Sequence, residues 1–379
     1  MQPVRVGIIG QGRSGRDIHG AHLCKDERYR IVAVVDPLPE RRERAVAEYG
    51  CDAYAEHGAL LARDDVDLVV VAAPSKHHVP YTLEALAAGR HVLCEKPLAS
   101  CVADVDRMIA ASERAGKLLA VFQQSRFAPY FLKVQEVLAS GLLGDIVQVS
   151  IHFSGFSRRY DWQTLRSEMG GNLLNTGPHP LDQALQLFGT DAMPNVTCLM
   201  RNAVSYGDAD DHVVLLLSGE GRPIIHLEIS SCCKYPANTY TVYGTRGGLS
   251  GSTDRLEWQW YDPSTAPELR LITTPLCKED GTPAYCTDAL QWQCDSWTMP
   301  EGPGLFETMC EAYYTMLHRA LTEGAPLKVT PQQVRRQIAV IEECRRQNPH
   351  LYPDPSDRFD PQRTGADART APVSEQDPG

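Results

Sequence analysis

The chain has no surplus of positive charge. Its 379 residues carry 37 Lys and Arg against 48 Asp and Glu, a formal net charge of −11, which argues against nucleic acid or an anionic membrane as the main partner. No apolar stretch is long enough to span a bilayer. An apolar strand pattern begins at residue 4, which leaves no room for a signal peptide, so the expectation is a cytoplasmic, non-membrane protein. The twelve cysteines include no C-x-x-C pair. The spacing of a zinc or dithiol site is therefore missing, and no metal is expected. Several cysteines, such as Cys94, Cys310 and Cys344, sit in apolar strand or helix patterns, which reads as free, mostly buried thiols in a reducing compartment. The vicinal Cys232 and Cys233 are an exception, although adjacent strand residues point to opposite faces.

The length is sufficient for two domains with substantial cores. Strand and helix patterns alternate over the first ~120 residues, as a parallel, doubly wound sheet requires. Strands are expected at Val4 to Ile9, Ile31 to Val35, Asp67 to Ala73, His91 to Cys94 and Leu118 to Phe122. Helices are expected at Pro39 to Tyr49, Lys76 to Ala88 (N-capped by Ser75), Val102 to Ala115 and Pro129 to Ala139. From about 145 to 275 short runs of β-branched and apolar residues predict a large, mainly antiparallel sheet. Two helical patterns around Leu305 to Leu317 and Val334 to Ile341 close the fold. The expected fold class is α/β: an N-terminal Rossmann domain over 1–124, a second α/β domain with an open sheet over 125–352, and a flexible tail over 353–379.

The first strand runs directly into Gly10-Gln11-Gly12-Arg13-Ser14-Gly15. This is G-x-G-x-x-G in the strand-then-helix setting that gives the pattern its meaning. Gly10 permits the tight turn, Gly12 lets a pyrophosphate approach backbone, and Gly15 lets helix pack on strand. The N–H groups of the helix starting near Arg13 then face the phosphates. Asp36 follows twenty-one residues after Gly15, at the end of the second strand, where its carboxylate suits a ribose hydroxyl and repels a 2′-phosphate. NAD is therefore expected rather than NADP. Arg41 and Arg42 are read as the solvated face of the next helix, although either could reach a phosphate.

Lys96 ends the strand His91 to Cys94 and precedes Pro97. In a doubly wound sheet that edge is where ligands bind, and Pro74, Ser75 and His78 fall on the same edge. The second constellation is Gly170-Gly171-Asn172-Leu173-Leu174-Asn175-Thr176-Gly177-Pro178-His179-Pro180-Leu181-Asp182. Asn175, His179 and Asp182 are spaced i, i+4, i+7 and line one face if the turn is helical throughout. A histidine at a helix N-terminus feels the positive end of the dipole, stays neutral and is able to accept a proton. Asp182 is read as orienting the helix. Arg158, Arg159, Tyr160 and Trp162 include the residue types that hold sugars, with a packed loop as the equal alternative. Arg126 is divided in the same way between substrate contact and a structural ion pair.

Gly10-x-Gly12-x-x-Gly15, Pro74-Ser75 with His78, Glu95-Lys96-Pro97, Arg126-Phe127-x-Pro129 and the glycine-led helix with His179 and Asp182 together resemble the Gfo/Idh/MocA oxidoreductase family over residues 4 to 190. The resemblance implies a Rossmann domain with Glu95 in the cofactor site, a second domain whose open sheet often mediates oligomers, and a cis bond at Lys96-Pro97. It also implies oxidation of a secondary hydroxyl, with C3 attractive, on a sugar, glycoside or inositol. The expected partners are a carbohydrate substrate and further copies of the chain, as a dimer or tetramer. Asn175 stands where many members carry aspartate, Asn172 replaces a third glycine, and Gln124, a substrate candidate, together with Ser125 and Ala128, departs from the family's residues. On this reading His179 takes the hydroxyl proton, Lys96 stabilises the alkoxide, and Asn175 orients the hydroxyl or ribose. The alternative assignment, Lys96 as base, stays open, as do a redox-initiated NAD-dependent glycosidase and a non-catalytic, NAD-sensing regulator.

Overall fold

The computed structural model describes residues 2–353. Of the tail expected over 353–379, all but Pro353 lies outside the described residues. A parallel sheet of six strands is built from β1 (Val4–Ile9), β2 (Tyr29–Val35), β3 (Asp52–Tyr54), β4 (Leu68–Val71), β5 (His91–Cys94) and β6 (Leu119–Val121). Their order is β3-β2-β1-β4-β5-β6. The order reverses between β1 and β4, which opens a crevice at the carboxyl ends of the strands, where Gly10, Ala72 and Glu95 emerge. Helices cover both faces, so β4 is buried at every residue. This burial is why β1, β4 and β5 read as continuous apolar runs.

The second sheet has eight strands: β7 (Ile146–Ser154), β8 (Asn195–Arg201), β9 (His212–Ser218), β10 (Ile224–Ser230), β11 (Tyr240–Gly244), β12 (Gly247–Gly251), β13 (Arg255–Tyr261) and β14 (Trp292–Thr298). They are ordered β14-β13-β12-β11-β7-β10-β9-β8. Only the β7 and β10 pair is parallel, because the chain leaves β7 to form the site helices and two outer strands before returning beside it. One face packs on the helix Pro178–Phe188, burying Ile151, Leu215 and Leu227. The other leaves Leu199, Leu216, Ile224 and Tyr243 exposed.

The expected α/β class and both sheets are present. Three details differ. Ser75 does not cap the fourth helix: residues Ser75–His77 form a separate tight turn, the Ser75 side chain makes no cap bond, and the helix runs His78–Ala87. Pro74 holds the chain extended and delays helix entry. The thiols are free, but only five of the twelve cysteines are buried, and Cys24, Cys277, Cys286 and Cys294 are exposed. The last three belong to an exposed excursion over residues 262–298 that includes β14. The strands β3 and β14 lie outside the expected elements: both are edge strands, β3 has three residues, and β14 is exposed at every residue but Trp297.

The closing helices return to the Rossmann sheet. In Leu305–Glu323, Tyr313 donates its hydroxyl to the Val121 carbonyl at 2.6 Å. In Pro331–Arg346, Arg335 pairs with Asp106, and a Thr330/Gln333 capping box starts that helix.

Candidate active site

The glycine turn is shaped for a pyrophosphate. Gly10 has φ +97°, and a Cβ there would meet the Ala72 carbonyl oxygen at 2.6 Å. A Cβ on Gly15 would fall 1.8 Å from the Gly10 oxygen, whereas one on Gly12 would meet nothing closer than Arg41 Nη1 at 3.7 Å. Space is thus left above Gly12, facing the first N–H groups of the helix Arg13–Gly20, a wide-turned helix in which Ala21 N–H reaches back to the Arg16 carbonyl. Arg13 is exposed there and Ser14 half-buried. Asp36 braces the turn: its carboxylate accepts Gln11 N–H at 2.8 Å and Leu38 N–H at 3.0 Å. Arg41 Nη1 stands 3.4 Å from the same carboxylate, and Arg42 donates to the Asp36 carbonyl at 2.8 Å. These features fit a dinucleotide, with the buried Asp36 at the ribose end.

Across the crevice, His78 is buried with Nδ1 2.7 Å from the Pro97 carbonyl and Nε2 2.9 Å from that of Ala73. Burial lowers its proton affinity, and the two carbonyls offset this only in part. Its side chain therefore ties the 73–75 turn to the 96–97 turn. The Lys96-Pro97 bond is cis. Glu95 is buried, its carboxylate accepting the Lys96 N–H at 3.0 Å.

Lys96 Nζ donates to the backbone carbonyl of Asn175 at 2.9 Å. This contact bridges the Rossmann edge to the glycine-led turn, and the 175 side chain is not what makes it. Asn175 Nδ2 instead donates to Gln163 Oε1 at 3.2 Å, which also accepts from Arg159. The turn at 170–171 needs its glycines: Gly171 has φ +101°, and a Cβ on Gly170 would lie 2.3 Å from the Gln163 oxygen. Asn172, which departs from glycine, anchors the turn to the second sheet by donating to the Asp211 carbonyl at 2.7 Å and to Ser231 Oγ at 2.9 Å.

The segment from Asn172 to Phe188 is helical almost throughout, with Thr176 and Gly177 also in the right-handed region. His179 lies one turn after Asn175, half-buried at the cleft wall, with Nδ1 3.1 Å from Ser125 Oγ. Burial lowers its pKa to about 3, and the charge of Lys96 adds to the effect against a smaller opposing pull from Glu95. Burial lowers the pKa of Lys96 as well; Glu95 opposes this and the cations Arg13 and Arg159 reinforce it.

Asp182 does not share the cleft with these two. It lies nearly one turn beyond His179, where the helix meets residues 124–127, and it holds the buried Arg126 in a bidentate pair. Arg126 also donates to the Lys328 carbonyl at 2.6 Å and to Gln333 Oε1 at 2.5 Å. Of its two roles, the ion pair is the one the structure displays. Gln124 is buried, and its Oε1 has no partner among the described residues. Arg158, Tyr160 and Trp162 are exposed, Tyr160 at 85%. Gln163 and Ser125, which contact Asn175 and His179, carry no local signal beyond their neighbours.

One hollow of about 970 Å³ lies away from this crevice, between residues 17–28 and 299–312. Beside it His22, Asp26 and Glu311 offer ligand atoms within 4.8 Å of one another. The Arg28 guanidinium already spans both carboxylates, at 2.6 and 2.7 Å. No helix among the described residues is long and apolar enough to cross a membrane.

A family model described as the oxidoreductase family, NAD-binding Rossmann fold, matches residues 4–123, and one for the GFO/IDH/MocA C-terminal domain matches residues 131–250. The scyllo-inositol 2-dehydrogenase (NADP(+)) IolW of Bacillus subtilis is 26% identical over 360 residues, covering 89% of this chain and 92% of its own. The D-glucoside 3-dehydrogenase of Escherichia coli is 30% identical over 198 residues, covering 51% of this chain and 56% of its own. Among solved structures, GenD2 from gentamicin A biosynthesis in complex with NAD has a TM-score of 0.69 at 22% identity, covering 92% of this chain and 94% of its own.

Proposed function

The chain belongs to the Gfo/Idh/MocA family of NAD-binding oxidoreductases, and from that premise we propose that it oxidises a secondary hydroxyl of a sugar, glycoside or inositol to a ketone. One observation carries the reading. The ammonium of Lys96, on the cofactor edge, is held 2.9 Å from the carbonyl of Asn175, one helical turn before a neutral histidine. A substrate hydroxyl entering between Lys96 and His179 meets a cation and a free imidazole at once.

NAD, held by the glycine turn and Asp36, supplies the hydride acceptor. With Nδ1–H donated to Ser125 Oγ, His179 keeps the lone pair of Nε2 for the hydroxyl proton. Lys96 donates to the same oxygen as negative charge grows on it, a charge-assisted hydrogen bond in a site partly closed to water. The two residues act as a unit, because the charge on Lys96 is one cause of the histidine's low proton affinity. Asn175 positions the lysine through its backbone and, with Gln163 and Arg159, lines the substrate side. The glucoside 3-dehydrogenase relative supports C3 of a pyranoside as the oxidised carbon.

The Asp36 carboxylate favours NAD, and Arg41 is the residue that would have to turn for a 2′-phosphate to be accepted. The exposed apolar face of the second sheet is read as the contact between copies of the chain. Screening sugars, inositols and glycosides for NADH formation, with the product carbon located by NMR, tests the function. Tight NAD binding with no NADH from any member of the panel would refute it.

A further inference from the structure

Glu95 accepts the backbone N–H of Lys96 at 3.0 Å and belongs to a buried chain of contacts that crosses from one domain to the other. Its Oε1 lies 3.2 Å from Nε2 of His19, a residue with no side-chain exposure on the helix Arg13–Gly20. His19 Nδ1 is 2.6 Å from the hydroxyl of Tyr314 on the helix Leu305–Glu323. Phe122 closes over the imidazole edge-on, with ring centroids 4.6 Å apart. The Tyr29 hydroxyl donates to the Tyr314 carbonyl at 2.8 Å and fixes that helix.

Proton placement follows from the contacts. Burial keeps the Tyr314 phenol protonated, and among the described residues its hydroxyl has no other acceptor than His19. If Nδ1 carried the proton, the lone pair of Nε2 would face a carboxylate oxygen at 3.2 Å. If Tyr314 donates to Nδ1, then Nε2 carries the proton and faces Glu95 Oε1 at 3.2 Å, a contact within ion-pair distance that falls outside hydrogen-bond geometry. The second arrangement satisfies the Tyr314 contact and puts a proton, not a lone pair, toward the carboxylate.

We propose that His19 and Tyr314 are positioning residues that hold the Glu95 carboxylate against the Lys96 turn and so control the reactivity of the Lys96 amine. The inference rests on the assignment of Lys96 above. Lys96 is faced by Glu95, Arg13, Arg159 and His179. Glu95 is the anion among these, opposing burial and two cations. Glu95 itself is faced by His19, His78 and Lys96, with Cys94, Cys310 and Tyr313 nearby as neutral groups. Burial alone would raise the carboxyl's pKa, but His19, Lys96 and His78 overcome it and hold it at about 2. The Rossmann edge thus depends on a tyrosine more than two hundred residues away.

The test is the rate at which an amine reagent labels Lys96 in the full chain, with and without NAD, followed against pH by mass spectrometry. Losing a nearby opposite charge lowers an amine's proton affinity, so E95Q should label roughly tenfold faster at pH 7. Y314F removes one hydroxyl, keeps the ring and should move labelling in the same direction by less. H19F should fall between these two, while H19Q, which still offers an N–H to Glu95, should stay near wild type. In ¹⁵N spectra, His19 should carry its proton on Nε2 in the wild type and lose that preference in Y314F. Should H19F fail to fold, Y314F decides. Labelling profiles for Y314F and H19F that superimpose on wild type, with melting and NAD affinity intact, would overturn the proposal. Turnover retained by K96A would instead sink the catalytic role of Lys96 and leave the labelling result standing.

Discussion

The two sheets bury their strands in different ways. The six-stranded sheet is covered on both faces by the chain's own helices, and at its carboxyl edge side chains are braced by named partners: Asp36 by two backbone N–H groups, His78 by two carbonyls, Lys96 by Asn175. The eight-stranded sheet alternates buried and exposed residues along β8 and β9, and leaves Leu199 at 69% and Tyr243 at 53% exposure on its outer face. The first sheet meets its partners within the same chain, taking Asn175 and His179 from the helices that pack on the second. The second, by the present reading, completes itself by meeting another copy. Perturbations at the crevice should therefore act within one chain, and perturbations on the outer face between chains.

The largest effect is expected from G15A. Its Cβ would overlap the Gly10 carbonyl at 1.8 Å, backbone that cannot give way, so NAD titration should show binding lost together with the native fold signal. Next is R126A. It strands the buried Asp182 carboxylate, and leaving one partner of a buried pair alone costs about 3–5 kcal/mol, visible as a large loss in denaturant midpoint. If the midpoint barely moves, the ion pair does not hold the site helix. Third, L199K combined with Y243E should convert oligomers to monomers in sedimentation with NAD affinity unchanged. Altered NAD affinity with unchanged mass would break the contrast between the two sheets.

Between pH 6.5 and 5 the smallest effect is pH-linked. His179 binds its proton near 3 when folded and near 6.5 when unfolded, so the unfolded state takes up the proton first. Its contribution is complete above about pH 6.5 and drains away as pH falls toward 3, with a limiting slope of about 1.4 kcal/mol per pH unit. H179N should flatten the fall in melting temperature between pH 6.5 and 5, before the carboxylates titrate.

Local rules made much of this legible in the sequence. The strands Val4–Ile9 and His91–Cys94 and the helices Pro39–Tyr49, Val102–Ala115 and Pro129–Ala139 were readable to the residue, because period, caps and breakers agree there. The glycine turn was readable because its backbone demands glycine. The short edge strands were not, since pairing rather than composition makes them strands. Within the site, Lys96 and His179 stood out by type and position, but their supports did not. Asn175 acts on Lys96 through a carbonyl that any residue would supply, and His19 and Tyr314 meet Glu95 only because the last helices fold back over the Rossmann edge. A buried acid following an apolar strand signals that a partner must exist, but does not say where.

The central claim is that Lys96 and His179 together carry the proton and charge beside the bound dinucleotide. It is tested most directly by measuring turnover and NAD affinity side by side in K96A and H179A, on whichever carbohydrate of the panel the wild type oxidises. In each variant kcat should fall roughly 10²-fold or more, with NAD still bound. Wild-type turnover in either variant would contradict it.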